Sequence, residues 1–307
     1  MTIQDVVDRI HSFELEVLNT TSRTADWVAK PNALKPYPNS IRKRLKIGTQ
    51  RLLRPKSFAL VSAGLSASRI RIKNNVLVFY EDEGIVAKLF HRKAALDAHL
   101  RGVRGGARMS DVKVPDVLGH GTAPVPWIIH PIVQGQSPTA QQLMQANGLL
   151  EDLARLHGPG LEYKSFGISG DELDRLQEVV QPIGVAIGPR TTRVLLGANS
   201  ARGLLGSTHG DLSLKNFILN QELFLIDWET AGHDFVVRDL LATPPSLWIR
   251  YVNALSGLGI GETVESLRRQ AVIYQVMKLH EAIKFQQHDL SLQKLLEKVE
   301  EIAATID

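Results

Sequence analysis

The stretch Ser207-Thr-His-Gly-Asp211-Leu-Ser-Leu-Lys-Asn216-Phe-Ile-Leu-Asn220, followed after Gln221-Glu222 by Leu223-Phe-Leu-Ile-Asp227-Trp-Glu229, decides how the chain is read. Two short apolar runs separated by a polar turn have the pattern of a β-hairpin. At one end of that hairpin stand Asp211 and Asn216, five residues apart on a loop, and Asp227, which closes the second strand. Hard oxygen ligands of this kind hold Mg²⁺ against phosphates, and a separate carboxylate accepts a hydrogen bond from an attacking hydroxyl and orients it. The set points to phosphoryl transfer. Asp and Asn also cap ordinary turns, but the full string, with flanking strands in this order, is more than a turn pattern.

Upstream of it the period is that of strands, over residues 58–61, 68–72, 76–80 and 85–90, with turns at Asn74-Asn75 and Glu81-Asp82-Glu83-Gly84. A helical stretch over 92–101 follows, then a Gly-rich turn and two short apolar segments at 114–118 and 127–133. Beyond Gly135-Gln136-Ser137-Pro138 the pattern is mainly helical, at 143–157, 172–180, 270–286 and 292–306. The last of these carries Leu292, Leu295, Leu296, Val299, Ile302 and Ile306 on one face behind a Ser291 cap. The expected class is α+β: residues 56–133 form a small lobe of antiparallel sheet, residues 134–307 a mainly helical lobe, and residues 1–55 an extension with two helical patterns.

Composition narrows the alternatives. The chain has 307 residues, 44% hydrophobic and 22% charged, ordinary for a globular protein with a sizeable core. No apolar run approaches the roughly 20 residues that span a bilayer, and no signal-peptide pattern opens the chain, so a soluble, cytoplasmic protein is expected. The absence of cysteine excludes disulfides, thiolate metal sites and thiol nucleophiles. No Gly-x-Ser-x-Gly elbow and no His-Glu-x-x-His pair occurs, which sets aside serine hydrolases and zinc enzymes. His157, ending a helical pattern, is expected to satisfy a buried contact.

The formal net charge is +4, yet residues 28–56 hold nine Lys or Arg and no acid, leaving 27 basic against 32 acidic residues elsewhere, net −5. A uniformly basic nucleic-acid binder does not look like this. Within the basic segment, Ile41, Leu45 and Leu52 share an apolar stripe against Arg42, Lys43, Arg44 and Lys46, a combination suited either to packing on the body or to peripheral association with an anionic membrane.

The His-Gly-Asp loop, the Asn five residues after the Asp and the apolar strand ending in Asp resemble the aminoglycoside phosphotransferase and choline kinase family over roughly residues 58–241. The resemblance implies a bilobal protein-kinase-like fold, ATP and Mg²⁺ as cofactors, and the hydroxyl of a small molecule or glycan as acceptor. It implies that Asp211 is the catalytic base, Asn216 a magnesium ligand and Asp227 the main magnesium ligand, where protein kinases carry the Asp of Asp-Phe-Gly. His209 would brace the loop, Lys215 would reach the γ-phosphate, and Asp239 would support the loop from behind. In Ile85-Val-Ala-Lys88-Leu-Phe90, Lys88 takes the place of the strand lysine that pairs with phosphates. Ser62, Gly64 and Ser66 fall in the turn that covers the phosphates, and His130, Ile132 and Val133 in the hinge that grips the base.

One departure stands out. The usual helix Glu that pairs with the strand Lys is missing, since residues 90–110 contain no Glu and their first acid is Asp97. Either Asp97 makes that pair or Lys88 is held differently. The combination His-Gly-Asp-Leu with Asp-Trp-Glu resembles kinases of surface-polysaccharide or lipopolysaccharide sugars. The alternative from another class is a catalytically silent nucleotide-binding module that docks a partner through its basic extension.

Overall fold

A computed structural model describes residues 69–72, 75–90, 92–122, 126–146, 148–166, 189–196, 201–284, 297 and 299–306. The extension 1–55, the strand expected at 58–61, the helix expected at 172–180 and the Ser291 cap lie outside these residues. Along the chain run β1 (Arg69–Ile72), β2 (Val76–Tyr80), β3 (Ile85–Leu89), α1 (Lys93–Gly106), β4 (Val112–Lys113), β5 (Gly119–Gly121) and β6 (Trp127–Pro131). Then come α2 (Ala140–Gln145), α3 (Leu149–His157), β7 (Glu162–Ser165), α4 (Pro189–Leu196), β8 (Arg202–Thr208), β9 (Phe217–Leu219) and β10 (Leu223–Leu225). The last described are β11 (Gly232–Phe235), α5 (Val237–Leu240), α6 (Trp248–Gly257) and α7 (Val264–Lys284).

The chain divides into two compact units, Met1–Leu96 with Pro115–Val133, and Asp97–Val114 with Gln134–Asp307. The first carries a five-stranded antiparallel sheet in the order β1-β2-β3-β6-β5. The β2–β3 hairpin closes where Gly84, at φ +67, donates its N–H to the Glu81 carbonyl at 3.2 Å. Ala87, Lys88 and Leu89 are buried in succession on the central strand β3, as are Ile128 and Ile129 on β6. Consecutive buried residues mean that these strands are covered on both faces.

The second unit has two small sheets among helices: β4-β10-β9, in which β4 runs parallel to β10, and the antiparallel β11-β8-β7. Its core gathers Leu153, Ala154 and Leu156 of α3, Trp248, Tyr251 and Leu255 of α6, and Leu267, Ala271 and Val272 of α7. Helix α7 is buried at every position from Gln270 to Val276, the signature of a central helix rather than an amphipathic surface one.

Three sequence expectations change. The helix read over 143–157 is two helices: Thr139 caps α2 with a capping box, and Gly148 opens α3 in the left-handed region at φ 86, where any side chain would strike Asp111. The apolar segment at 114–118 forms no strand of its own, because Pro115 cannot donate to a ladder; strands form on either side of it instead, in different sheets. Helix α7 starts six residues earlier than the apolar pattern suggests, at Val264.

Candidate functional site

The hairpin predicted from the quoted stretch is β9–β10, paired Phe217↔Leu225, Ile218↔Phe224 and Leu219↔Leu223. The ladder extends one step further, since the Ile226 N–H donates to the Asn216 carbonyl at 2.9 Å. Asn216 therefore lies across from the residue that precedes Asp227. On the other side, β8 delivers Thr208 and the His209-Gly210-Asp211 turn, and a single turn of 3-10 helix, Leu214–Asn216, joins Asp211 to β9. Asp211, Lys215, Asn216 and Asp227 are thus brought to one end of the hairpin by local chain geometry.

His209 ties the two sides together. Its Nε2–H donates to the Ile226 carbonyl at 2.9 Å, and its Nδ1 accepts the Asp211 N–H at 3.3 Å. A carbonyl can only accept and an amide N–H can only donate, so these partners select the neutral Nε2–H tautomer. Burial also lowers the His209 pKa below 6.5, against the opposing pull of Asp239, Asp227 and Asp211. The ring sits edge-on to Trp228, centroids 4.6 Å apart, and Thr230 Oγ1 donates to the His209 carbonyl at 3.1 Å. His209 is a brace between the loop of Asp211 and the strand of Asp227.

Behind it lies Asp239, fully buried. Its Oδ2 accepts the His209 N–H at 2.7 Å and its Oδ1 the Gly210 N–H at 2.9 Å. His157 Nε2 approaches Oδ2 at 3.2 Å, with the Tyr251 hydroxyl 2.8 Å from its Nδ1. Burial alone would raise the Asp239 pKa, but the His157 hydrogen bond and charge, with His209 and the Gly210 amide, outweigh it and hold the carboxyl below 3.8. Burial, reinforced by the Asp239 charge, raises the Tyr251 phenol well above 10.0. The expectations of a supporting Asp239 and a buried His157 meet here in one network. Gly210 sits at φ +83, where an added Cβ would lie 2.4 Å from the Thr230 carbonyl oxygen, so this turn accepts only glycine.

Asn216 is buried and its amide Nδ2 donates to the Asp211 carbonyl at 2.6 Å and to Asp211 Oδ2 at 3.2 Å. That orientation turns Asn216 Oδ1 away as the remaining acceptor. Lys215 Nζ stands 3.1 Å from the same Asp211 Oδ2, both side chains about half exposed. Two cationic or amide donors thus converge on Oδ2, and Asp211 Oδ1 keeps its lone pairs. Asp227 is the single non-glycine residue at positive φ among the described residues, at φ 69 and ψ 53. A left-handed L-residue costs roughly 1–2 kcal/mol, and such strain is held where the surroundings over-determine it. Here Trp228 does so: it is buried, its Nε1–H donates to Leu225 O at 3.1 Å, and Gly102 and Gly106 of α1 lie against its ring, where a Cβ would come within 2.6 and 2.9 Å. In the sequence Trp228 figures only within the Asp-Trp-Glu pattern, with no supporting role, and Thr230 and Tyr251 carry no signal; the glycine spacing on α1 marks the packing against Trp228.

In the other unit, Lys88 is buried on β3 between Leu77 and Ile128 in register, its Nζ 5.2 Å from the centre of the Phe90 ring. His130 is buried on β6, its Nδ1–H donating to the Asp116 carbonyl at 2.7 Å. Its pKa is lowered by burial, with the Lys88 charge acting in the same direction. The Ile132 N–H donates to the Gly84 carbonyl at 2.7 Å, so that amide is already used within the sheet. Asp97 is half-buried on α1, whose first turn has no acid. Ser62, Gly64 and Ser66 lie outside the described residues.

A family model described as the phosphotransferase enzyme family matches residues 57–257. Among solved structures, the GDP complex of a mutant aminoglycoside 2'-phosphotransferase-IIIa is 15% identical, with a TM-score of 0.50 over 82% of this chain and 97% of that one. A choline/ethanolamine kinase family protein from Mesorhizobium loti is 14% identical, with a TM-score of 0.48 over 78% of this chain and 88% of that one. A macrolide 2'-phosphotransferase from Brachybacterium faecium is 16% identical, with a TM-score of 0.46 over 75% and 91%. At such identities the likeness is one of fold. No curated protein matches the chain.

Proposed function

Because the chain belongs to the phosphotransferase enzyme family, we propose that the Asp211–Asn216–Asp227 cluster transfers the γ-phosphate of a nucleoside triphosphate to an alcohol of a small-molecule or saccharide acceptor. The enzyme is a kinase in the general sense, with the α+β protein-kinase-like fold. The observation that carries the reading is the arrangement at the hairpin end: one carboxylate whose Oδ2 takes both the Asn216 and Lys215 donors, one amide whose nitrogen is spent on Asp211 so that its oxygen remains an acceptor, and a second carboxylate, Asp227, held in the left-handed region at the end of the paired strand.

The donor set fits Mg²⁺. Asp227 and Asn216 Oδ1 offer hard oxygens, and Mg²⁺ in phosphoryl-transfer sites takes its other ligands from phosphates and water. Among the described residues no cluster of three or more His, Cys, Asp or Glu that could hold a metal ion is present. Bound there, the ion would supply charge neutralisation on the phosphates. Asp211 Oδ1 accepts the hydrogen bond of the attacking hydroxyl, orients it and takes its proton as the new P–O bond forms and the bond from the γ-phosphorus to the bridging oxygen breaks, the nucleoside diphosphate leaving. Lys215, released from Asp211 Oδ2, neutralises charge on the transferring group. Asp239 and His209 hold the backbone of the loop, so that Asp211 and Asn216 stay in place while the Lys215 side chain turns to the phosphate. Lys88 receives the α and β phosphates, and the hinge at His130, Ile132 and Val133 the base, with Ile132 contributing its carbonyl because its amide is engaged.

We take ATP as the nucleotide on the family resemblance, and the likeness of His-Gly-Asp-Leu with Asp-Trp-Glu to kinases of surface-polysaccharide or lipopolysaccharide sugars supports an acceptor of that kind. No helix among the described residues is long and apolar enough to cross a membrane. One feature favours a second reading, a silent nucleotide-binding module: α1 has no Glu, and Asp97 is its sole acid. ATP consumption with Mg²⁺, with and without a panel of sugars, amino alcohols and proteins, separates the two. Acceptor-dependent consumption is expected. Nucleotide binding with no consumption across the panel would leave the silent module standing.

A further inference from the structure

A cavity of about 210 Å³ opens in the second unit between α2, the start of α3, Leu214 and the segment 241–250. Two of its walls are continuous with the proposed catalytic machinery. Leu214 belongs to the 3-10 turn that carries Lys215 and Asn216, and Leu241 and Ala242 follow directly on the helix turn that carries Asp239. The lining is almost wholly apolar: Leu143, Met144, Leu149, Leu214, Leu241 and Leu247 are typical of it, and among the described residues no acidic one lines it. Its two polar wall residues are already engaged. Thr243 Oγ1 donates to Leu240 O at 2.8 Å and accepts Trp248 Nε1–H at 3.1 Å. Arg250 Nε and Nη2 are both spent on the Glu151 carboxylate at 3.0 Å. Met144 and Leu214 are each 40% exposed, large apolar side chains left open to solvent at the wall of a cavity beside a reaction centre.

Resting on the phosphotransferase reading, we infer that this cavity binds the apolar body of the acceptor, so that the substrate is an alcohol carried on an alkyl or aromatic group. A polyamine would find no carboxylate here, and a bare polyol would leave its hydroxyls without partners, which buried polar groups do not tolerate. An apolar group displaces water from exposed Met144 and Leu214 and gains affinity in proportion to the surface covered. The exposed thioether of Met144 suits such a wall, being polarizable and conformationally adaptable.

The test compares hexyl β-glucoside with methyl β-glucoside, which share a head group and differ in an alkyl tail. Binding of each is measured by calorimetry without nucleotide. Five additional methylenes in an apolar pocket should tighten binding by at least about tenfold. Met144→Glu, at a solvent-exposed helix position that tolerates charge, should abolish the gain, and Met144→Leu should retain it. Affinities within about twofold for the two glucosides, or a tail-dependent gain unchanged in Met144→Glu, would overturn the inference. Phosphoryl transfer from labelled ATP is followed in parallel. Transfer without tail-dependent binding sinks the apolar acceptor and leaves the kinase. Tail-dependent binding without transfer to either glucoside, and without consumption across the panel of acceptors, sinks the kinase reading, and with it the assignment of the bound alcohol as acceptor.

Discussion

Asp239→Asn removes one negative charge and changes one oxygen into an NH₂ group while keeping the shape of the side chain. In the wild type both oxygens accept backbone N–H groups, His209 at 2.7 Å and Gly210 at 2.9 Å. An amide oxygen can satisfy only one of them, and the NH₂ faces the other donor to donor. Leaving a buried N–H unsatisfied costs about 1–3 kcal/mol, and a hydrogen bond to a charged acceptor loses a further share of its 1.5–3 kcal/mol when the charge goes. With His157 also deprived of its carboxylate, the loss reaches the range of about 3–5 kcal/mol seen when one partner of a buried charged pair is removed. That is a large part of an ordinary domain's stability. Urea unfolding followed by tryptophan fluorescence reads it directly. A shift below about 1 kcal/mol would refute the argument that this carboxylate holds the loop. The same variant should flatten the acid limb of stability. Because the folded Asp239 pKa lies below 3.8, its contribution is present above that value and is lost as pH falls through the lower folded pKa. His209, lowered from 6.5, acts in the same direction at milder acidity: stability is lost as pH falls below 6.5 toward its folded value.

Three further outcomes are expected. Gly106→Ala forces a Cβ to 2.6 Å from the Val114 side chain and 2.9 Å from the Trp228 ring, an overpacking that should cost about 1–3 kcal/mol and weaken magnesium-dependent nucleotide binding through Asp227; thermal melts and calorimetry check it. Gly210→Ala, placed at φ +83 against the Thr230 carbonyl, should lower turnover by at least about tenfold per folded molecule, since a small misplacement of the base is costly; kinetics on material of verified fold decides it. The basic segment 28–56 should bind anionic but not neutral vesicles, at about 1 kcal/mol per engaged Lys or Arg, and changing Arg42, Lys43, Arg44 and Lys46 to Gln should abolish co-sedimentation; equal binding to both vesicle types would make the segment a structural element.

How far the sequence could be read depends on which forces leave a local mark. The β9–β10 hairpin and strand β3 are legible because β-branched and apolar residues alternate with turns over a few positions, and the site sits on their ends. Strand β8, which delivers the loop, is not legible. It contains Gly203 and Gly206, which erase its strand signal, yet packing demands them: a Cβ at Gly203 would meet the Phe166 ring at 2.5 Å and one at Gly206 the His157 carbonyl at 2.8 Å. The parallel pairing of β4 with β10 spans two residues and a long separation in sequence, so no local pattern could announce it. Gly148 did announce the break between α2 and α3, but the apolar period continues across it. The residues proposed to contact phosphate and acceptor, Asp211, Asn216 and Asp227, stand out in the sequence by type and spacing. The supporting roles of Trp228, Thr230 and Tyr251 do not, because they come from tertiary packing and hydrogen bonds that leave no local pattern.

The central claim is tested most directly by transfer of labelled γ-phosphate from ATP to an alcohol in wild type, Asp211→Asn and Asp227→Ala, with nucleotide affinity measured alongside in the presence and absence of Mg²⁺. Transfer should fall by at least about 10² in Asp211→Asn with nucleotide affinity nearly unchanged, and by at least about 10³ in Asp227→Ala with loss of the magnesium dependence of binding. An Asp211→Asn enzyme that keeps more than about a tenth of wild-type turnover, or wild-type nucleotide binding indifferent to Mg²⁺, would contradict it.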